Sequence, residues 1–182
     1  VDAQGQFDAM DKFEQQAFEI SAQAGAMVGV ESEERLATPL MRSFKFRHPW
    51  LQINLLTVFI AAAVVGAFQT TIDKIVVLAM FLPVLGGQSG NLGCQSLAVT
   101  LRGMTLGELK EIPVVKLLSK EAMLGALNGA VTGALAGVAM YIVAYRHPEN
   151  GSPVMLGVLT MTAMVVACIM AGVSGTAIPL IL

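Results

Sequence analysis

One uncharged apolar run, Ile75 to Leu101, constrains this chain more than any other stretch. It is long enough to cross a bilayer as a helix, which takes roughly 20 apolar residues. Yet it carries Pro83, four glycines (Gly86, Gly87, Gly90 and Gly93) and a cluster of amides. A helix facing only lipid has no use for such residues. Pro83 has no N–H, so the carbonyl of Ala79 should lose its helical partner, and Gly86 adds to the weakness; a helix break is expected at Pro83 and Gly86. Asn91 and Gln95 are four residues apart and share a face with Gly87. Polar groups at membrane depth face a bundle interior or a water-filled path. The run therefore predicts a helix beside an ion or solute pathway. Gly87, Gly90, Asn91, Cys94, Gln95 and Ala98 are its candidate lining residues.

Composition agrees: 55% of residues are hydrophobic and 13% charged, a membrane-protein balance. The net charge of −2 hides a segregation, because eight of the 13 acids precede Trp50. No nucleic-acid partner is expected. The chain begins at Val1 with no secretory signal pattern, which reads as a fragment. Cys94 and Cys168 sit in apolar helices and give neither a disulfide framework nor zinc spacing. Cys168 reads as a packing residue.

Residues 1–48 read as a cytoplasmic helix and linker. Met10, Phe13, Ala17, Ile20, Ala24 and Met27 recur at helical spacing and make one apolar stripe. Thr38-Pro39 predicts a helix break. Residues 49–182 read as a transmembrane domain with four spans. The first runs from Trp50, an interfacial anchor, to about Phe68, and a polar turn follows at Gln69 to Lys74. The second is Ile75 to Leu101, with Val77 read as lipid-facing. The third runs from about Glu121 to Tyr145 and the fourth from Val154 to about Leu182, with a kink at Pro179. Gly125, Gly129, Gly133 and Gly137 recur every four residues, as do Ala163, Ala167, Ala171 and Gly175. Such stripes let helix backbones approach closely. Asn128 and Thr132 read as interhelical hydrogen-bonding residues rather than transport residues. His48 and His147 read as surface residues. Basic residues cluster before the first span and between the second and third, which places the N-terminus in the cytoplasm. No period-2 pattern appears, so the fold class is an all-α, multi-pass helical bundle in the cell (inner) membrane.

Pro83 to Ser96, followed by Leu101-Arg102-Gly103 and Leu106-Gly107-Glu108, resembles the second membrane helix of the MgtE magnesium channels and related solute carriers. The similarity runs from about Gln23 to Pro179. The resemblance implies a homodimer with the pore at its interface, a cytoplasmic regulatory helix at residues 1–30, and a fifth span with a pore aspartate beyond Leu182. It alone implies Mg2+ as the transported and regulatory ion, since spacing does not choose among divalent cations. Magnesium keeps several of its waters, so backbone oxygens and Asn91 could hold the hydrated ion. Asp8, Asp11, Glu14 and Glu19 are candidate regulatory metal ligands, whose mutual repulsion bound Mg2+ would screen. Cys94 departs from the family, which often has Asn or Thr there; a thiol is the softer ligand.

Three other function classes stand beside a channel. A secondary transporter of divalent cations also suits a broken helix, although no inverted repeat is visible. Gly87-Gln88-Ser89-Gly90 matches the Gly-x-Ser-Gly motif of intramembrane serine proteases. That reading fails because a serine nucleophile needs a base within reach and the histidines only flank the spans. A non-conducting assembly unit would explain the glycine stripes but not the amides. Asp73, Glu121 and Glu149 read as span-end residues, leaving no carboxylate at depth. This absence is the basis for expecting a fifth span and poor conduction by these residues alone.

Overall fold

The computed structural model describes residues 29–31, 33–110, 112–147, 149 and 151–181, together with Gln15, Ala22 and Gly25. The N-terminal apolar stripe and the acids Asp8, Asp11, Glu14 and Glu19 lie outside the described residues. Within them the protein is all-helical and has no strand. Its helices are α1 (Leu40–Ala67), α2 (Gln69–Lys74), α3 (Val76–Thr105), α4 (Val114–Tyr145) and α5 (Pro153–Ile181), with one 3-10 turn at Glu108–Lys110. All but α2 are long and apolar enough to cross a membrane, and the protein is a multi-pass membrane protein.

The chain forms two compact units, Val1–Gly66 with Leu101–Gly107, and Ala67–Thr100 with Glu108–Leu182. In the first, α1 begins after Pro39, ten residues before the expected start at Trp50. It buries no side chain within this chain; its first half carries Arg42, Lys45, Arg47 and His48, and its second half from Leu55 is apolar apart from Thr57. Its first turns are tied to the segment before it: Arg47 Nε donates to both carboxylate oxygens of Glu34 at 2.8 and 3.0 Å, and Arg42 pairs with Glu33 at 3.1 Å. Gly29 has a positive φ of 74° and lies against Trp50, where a Cβ would overlap the indole.

In the second unit α4 and α5 pack along the glycine stripe. A Cβ on Gly125, Gly129, Gly133 or Gly137 would come within 2.7–2.9 Å of α5 backbone atoms. Only hydrogen fits there, so the stripe sets how closely the two helices approach. The facing side of α5 is Gly157, Met161, Met164, Val165 and Cys168. Ala171 and Gly175, from the expected α5 stripe, instead meet Gly93 of α3. One apolar cluster joins Val77 and Phe81 of α3 to Met140, Ala144 and Leu156. A second joins Ala136, Met164 and Cys168, with Leu85 and Leu92 against it.

Several expectations need correction. The helix break at Pro83 and Gly86 is not observed, because α3 runs through both residues. A proline costs one backbone bond and imposes a steric adjustment, which a long membrane helix can absorb. Val77 is not lipid-facing; it is buried in the first apolar cluster. The third span starts at Val114, directly after Pro113. Glu121 therefore lies inside α4, 6% exposed, rather than at a span end.

Candidate functional site

The inward stripe of α3 changes character along its length. Val77, Phe81, Leu85 and Leu92 are apolar, whereas Ser96 and Thr100 are polar and buried. Beside the stripe, α3 projects Gln88, Asn91 and Gln95 into a cavity of about 140 Å³. Asn128 and Thr132 of α4, Cys168 of α5 and Leu92 complete the lining. A water occupies roughly 30 Å³ in the liquid, so the cavity has room for several. No residue of the lining carries a charge.

The hydrogen-bond inventory of the lining is uneven. Asn128 Nδ2 donates to Leu124 O at 3.0 Å, and Thr132 Oγ1 donates to Asn128 O at 2.7 Å. Both bonds stay within α4, so the interhelical bonds expected of these two residues are not formed. Thr132 hands its proton to its own helix, which leaves its oxygen lone pairs toward the cavity. The side-chain amides of Gln88, Asn91 and Gln95 have no partner among the described residues. Leaving an amide unpartnered in an apolar medium costs on the order of 2–7 kcal/mol. All three amides are exposed, so in a helix of membrane-spanning length their partners are water, a solute or another polar protein segment.

The candidate residues divide. Asn91 and Gln95 line the cavity. Gly87, Gly90, Cys94 and Ala98 are exposed on α3, as Asn91 and Gln95 are, but do not line this open-sided cavity. A Cβ on Gly86, Gly87 or Gly90 would meet nothing within 4 Å. Gln88, Asn128 and Thr132 line the cavity as well, beyond the residues expected from the sequence. The available signal was polarity at a four-residue spacing within an apolar span. No group of three or more His, Cys, Asp or Glu residues able to hold a metal occurs among the described residues. The amide oxygens suit an ion that keeps its water shell, not one stripped to protein ligands.

These features define the class: a multi-pass helical membrane protein with a polar, uncharged cavity between three of its helices. Residues 82–182, more than half of the chain, match the model of the MgtE family, described as a divalent cation transporter. The chain belongs to the MgtE family. It is 32% identical over 136 residues to the magnesium transporter MgtE of Bacillus subtilis, covering 75% of this chain and 29% of that protein. It is 28% identical over 164 residues to the magnesium transporter MgtE of Enterococcus faecalis, covering 90% of this chain and 34% of that protein. The relative named magnesium transporter MgtE in Thermus thermophilus is 26% identical over 133 residues. The chain thus spans about a third of the length of these relatives. No solved structure matches it.

Proposed function

We propose that the chain is part of a pathway for hydrated divalent cations, with Mg2+ as the physiological ion, and that the amide cavity beside α3 belongs to that pathway. The observation that carries this reading is the set of three exposed amides, Gln88, Asn91 and Gln95, with no partner among the described residues, facing Asn128 and Thr132 across an open-sided cavity of about 140 Å³. Carbonyl oxygens of amides accept hydrogen bonds from the waters of a hydrated cation. Water-mediated contacts of this kind are nearly as favourable as direct ones. Magnesium sheds its waters reluctantly, so a lining that binds the shell suits it. The names of the relatives support the choice of ion.

The remaining expectations belong to the same proposal. Two copies of the chain assemble, and the exposed residues Gly87, Gly90, Cys94 and Ala98 of α3 face the pathway at the junction. The N-terminus is cytoplasmic. Residues 1–48 connect to a regulatory region, and Asp8, Asp11, Glu14 and Glu19 bind cytoplasmic Mg2+ to favour closure. Residues 49–182 form the membrane domain. The test is flux of Mg2+, Ca2+, Mn2+ and Zn2+ into liposomes holding the intact protein. Saturable, selective Mg2+ entry is expected. Impermeability to all four ions would reject the reading, and flux driven only by a second ion's gradient would favour a coupled transporter.

A further inference from the structure

Ser and Thr hydroxyls inside membrane helices commonly bond back to their own backbone. Those of Ser89, Thr100, Thr105, Ser119, Thr132 and Thr160 do so here, each donating to the carbonyl four residues earlier. Ser96 behaves differently. Its Oγ donates across to α4, to Glu121 Oε2 at 2.7 Å. Both residues are buried, at 3% and 6% exposure. No Lys, Arg or His pairs with Glu121 among the described residues. Gly172 of α5 closes over the pair: a Cβ there would sit 3.0 Å from Glu121 O and 3.7 Å from Ser96 Oγ.

Neighbouring contacts hold the same stretch of α3. Gly93 meets Gly175 backbone to backbone, and Thr100 Oγ1 lies 3.2 Å from Thr176 Oγ1. The Thr100 hydroxyl proton goes to Ser96 O at 2.8 Å, so Thr176 is the donor in that pair. Glycine contacts permit sliding and rotation, because they lack direction. A hydroxyl–carboxyl hydrogen bond has direction and weakens steeply when bent. Of these contacts only the Ser96–Glu121 bond ties α3 to α4, the helix that supplies Asn128 and Thr132. Ser96 also adjoins Gln95, a cavity residue.

We propose that Glu121 is a positioning residue for the cation pathway. Through its buried hydrogen bond with Ser96 it fixes the rotation of α3 about its own axis, so that Gln95 and Asn91 face Asn128 and Thr132. This inference rests on the proposed pathway for its functional meaning, but its geometric content is measured separately. A buried carboxyl at this point is otherwise a costly choice, since an apolar side chain of similar volume packs without desolvation. A merely structural role is met by leucine; a positioning role is not.

The experiment uses the intact protein in liposomes, in a Cys94→Ser, Cys168→Ala background, with Gln95→Cys as a reporter of the α3 face. The reporter's labelling rate by an aqueous thiol reagent is measured beside Mg2+ flux in the parent without the reporter. Glu121→Gln keeps an acceptor oxygen for Ser96 and is expected to retain both. Glu121→Leu and Ser96→Ala are each expected to change both by about tenfold, the factor lost with one buried hydrogen bond of ordinary strength. Their combination is expected to do no more than either alone. Unchanged labelling in Glu121→Leu, an equal loss in Glu121→Gln, or multiplied effects in the double variant would overturn the proposal. Should Glu121→Leu fail to fold, Ser96→Ala carries the test, and parental labelling there overturns it. Shifted labelling in a protein whose parent passes no divalent cation would uphold the positioning role and reject the pathway instead.

Discussion

Replacing Gly125 by alanine should loosen the α4–α5 pair, and the same change at Gly86 should not. At Gly125 a Cβ would stand 2.7 Å from Cys168 O, 2.8 Å from Ile169 Cα and 2.9 Å from Cys168 C. All three are backbone atoms, so no side chain can swing aside. Relief requires the helices to part by roughly 0.5–1 Å, a gap that forfeits a quarter to a half of each contact's attraction. Overpacking of this kind costs about 1–3 kcal/mol. The better helix propensity of alanine returns about 0.5–1 kcal/mol, leaving a net loss of about 0–2.5 kcal/mol, with a midpoint of about 1.3 kcal/mol. At Gly86 nothing lies within 4 Å, so only the propensity gain remains. Cys168, 2% exposed at this interface, reports the opening. In a Cys94→Ser background, its modification by a thiol reagent in detergent micelles measures how often the pair separates. Gly125→Ala should raise that rate about tenfold, as a loss of about 1.4 kcal/mol implies, and Gly86→Ala should leave it alone. Adding Gly129→Ala to Gly125→Ala should cost less than the sum of the two, because helices already parted admit the second methyl. An unchanged rate in Gly125→Ala, or an equal rise in Gly86→Ala, would refute the packing argument.

Two predictions concern the segment ahead of the first span. The hydrogen bond from Arg47 holds the Glu34 carboxyl below its ordinary value of 4.5. The pair's contribution is therefore complete above that value and is lost as pH falls through the lowered one. Amide-exchange protection around residues 33–47, taken relative to the intrinsic rate at each pH, should fall on acidification below about pH 4.5, and Glu34→Gln should remove that loss; a flat wild-type protection profile would count against it. Gly29→Ala places a methyl into Trp50 and strains a backbone with φ of 74°. Because Trp50 is the one tryptophan, its fluorescence should shift, and an unaltered spectrum would show that the contact does not persist in solution.

The spans and the close α4–α5 packing were legible because each depends on a local property. Hydropathy over a window marks a span, and small residues every four positions mark a helix–helix seam. What could not be read was the rotation of each helix. A helix that is apolar on every side has no polar face to indicate which residues look inward. Sequence pattern therefore puts Val77 toward lipid although it is buried, and gives Asn128 and Thr132 a helix-bonding role although they line the cavity. Glu121 was misplaced because α4 begins seven residues earlier than its apolar core. Its partner Ser96 lies 25 positions away, beyond any local pattern. Pro83 and Gly86 were read by their intrinsic preferences, which a long helix in an apolar medium can override.

Asn128 provides the most direct test of the pathway, because it alone brings an amide from α4 to the cavity. Mg2+ flux would be measured in liposomes for the intact protein, Asn128→Leu, Asn91→Leu and Leu135→Ala, the last an exposed apolar position of α4. Leucine shares the branching and the number of side-chain heavy atoms of asparagine and favours the membrane more, so insertion is preserved while the oxygen is lost. A shared amide cavity predicts that each leucine variant loses flux by about tenfold or more, as loss of a hydrogen bond to a charged species implies, while Leu135→Ala conducts like the parent. Undiminished flux through both Asn128→Leu and Asn91→Leu would contradict it.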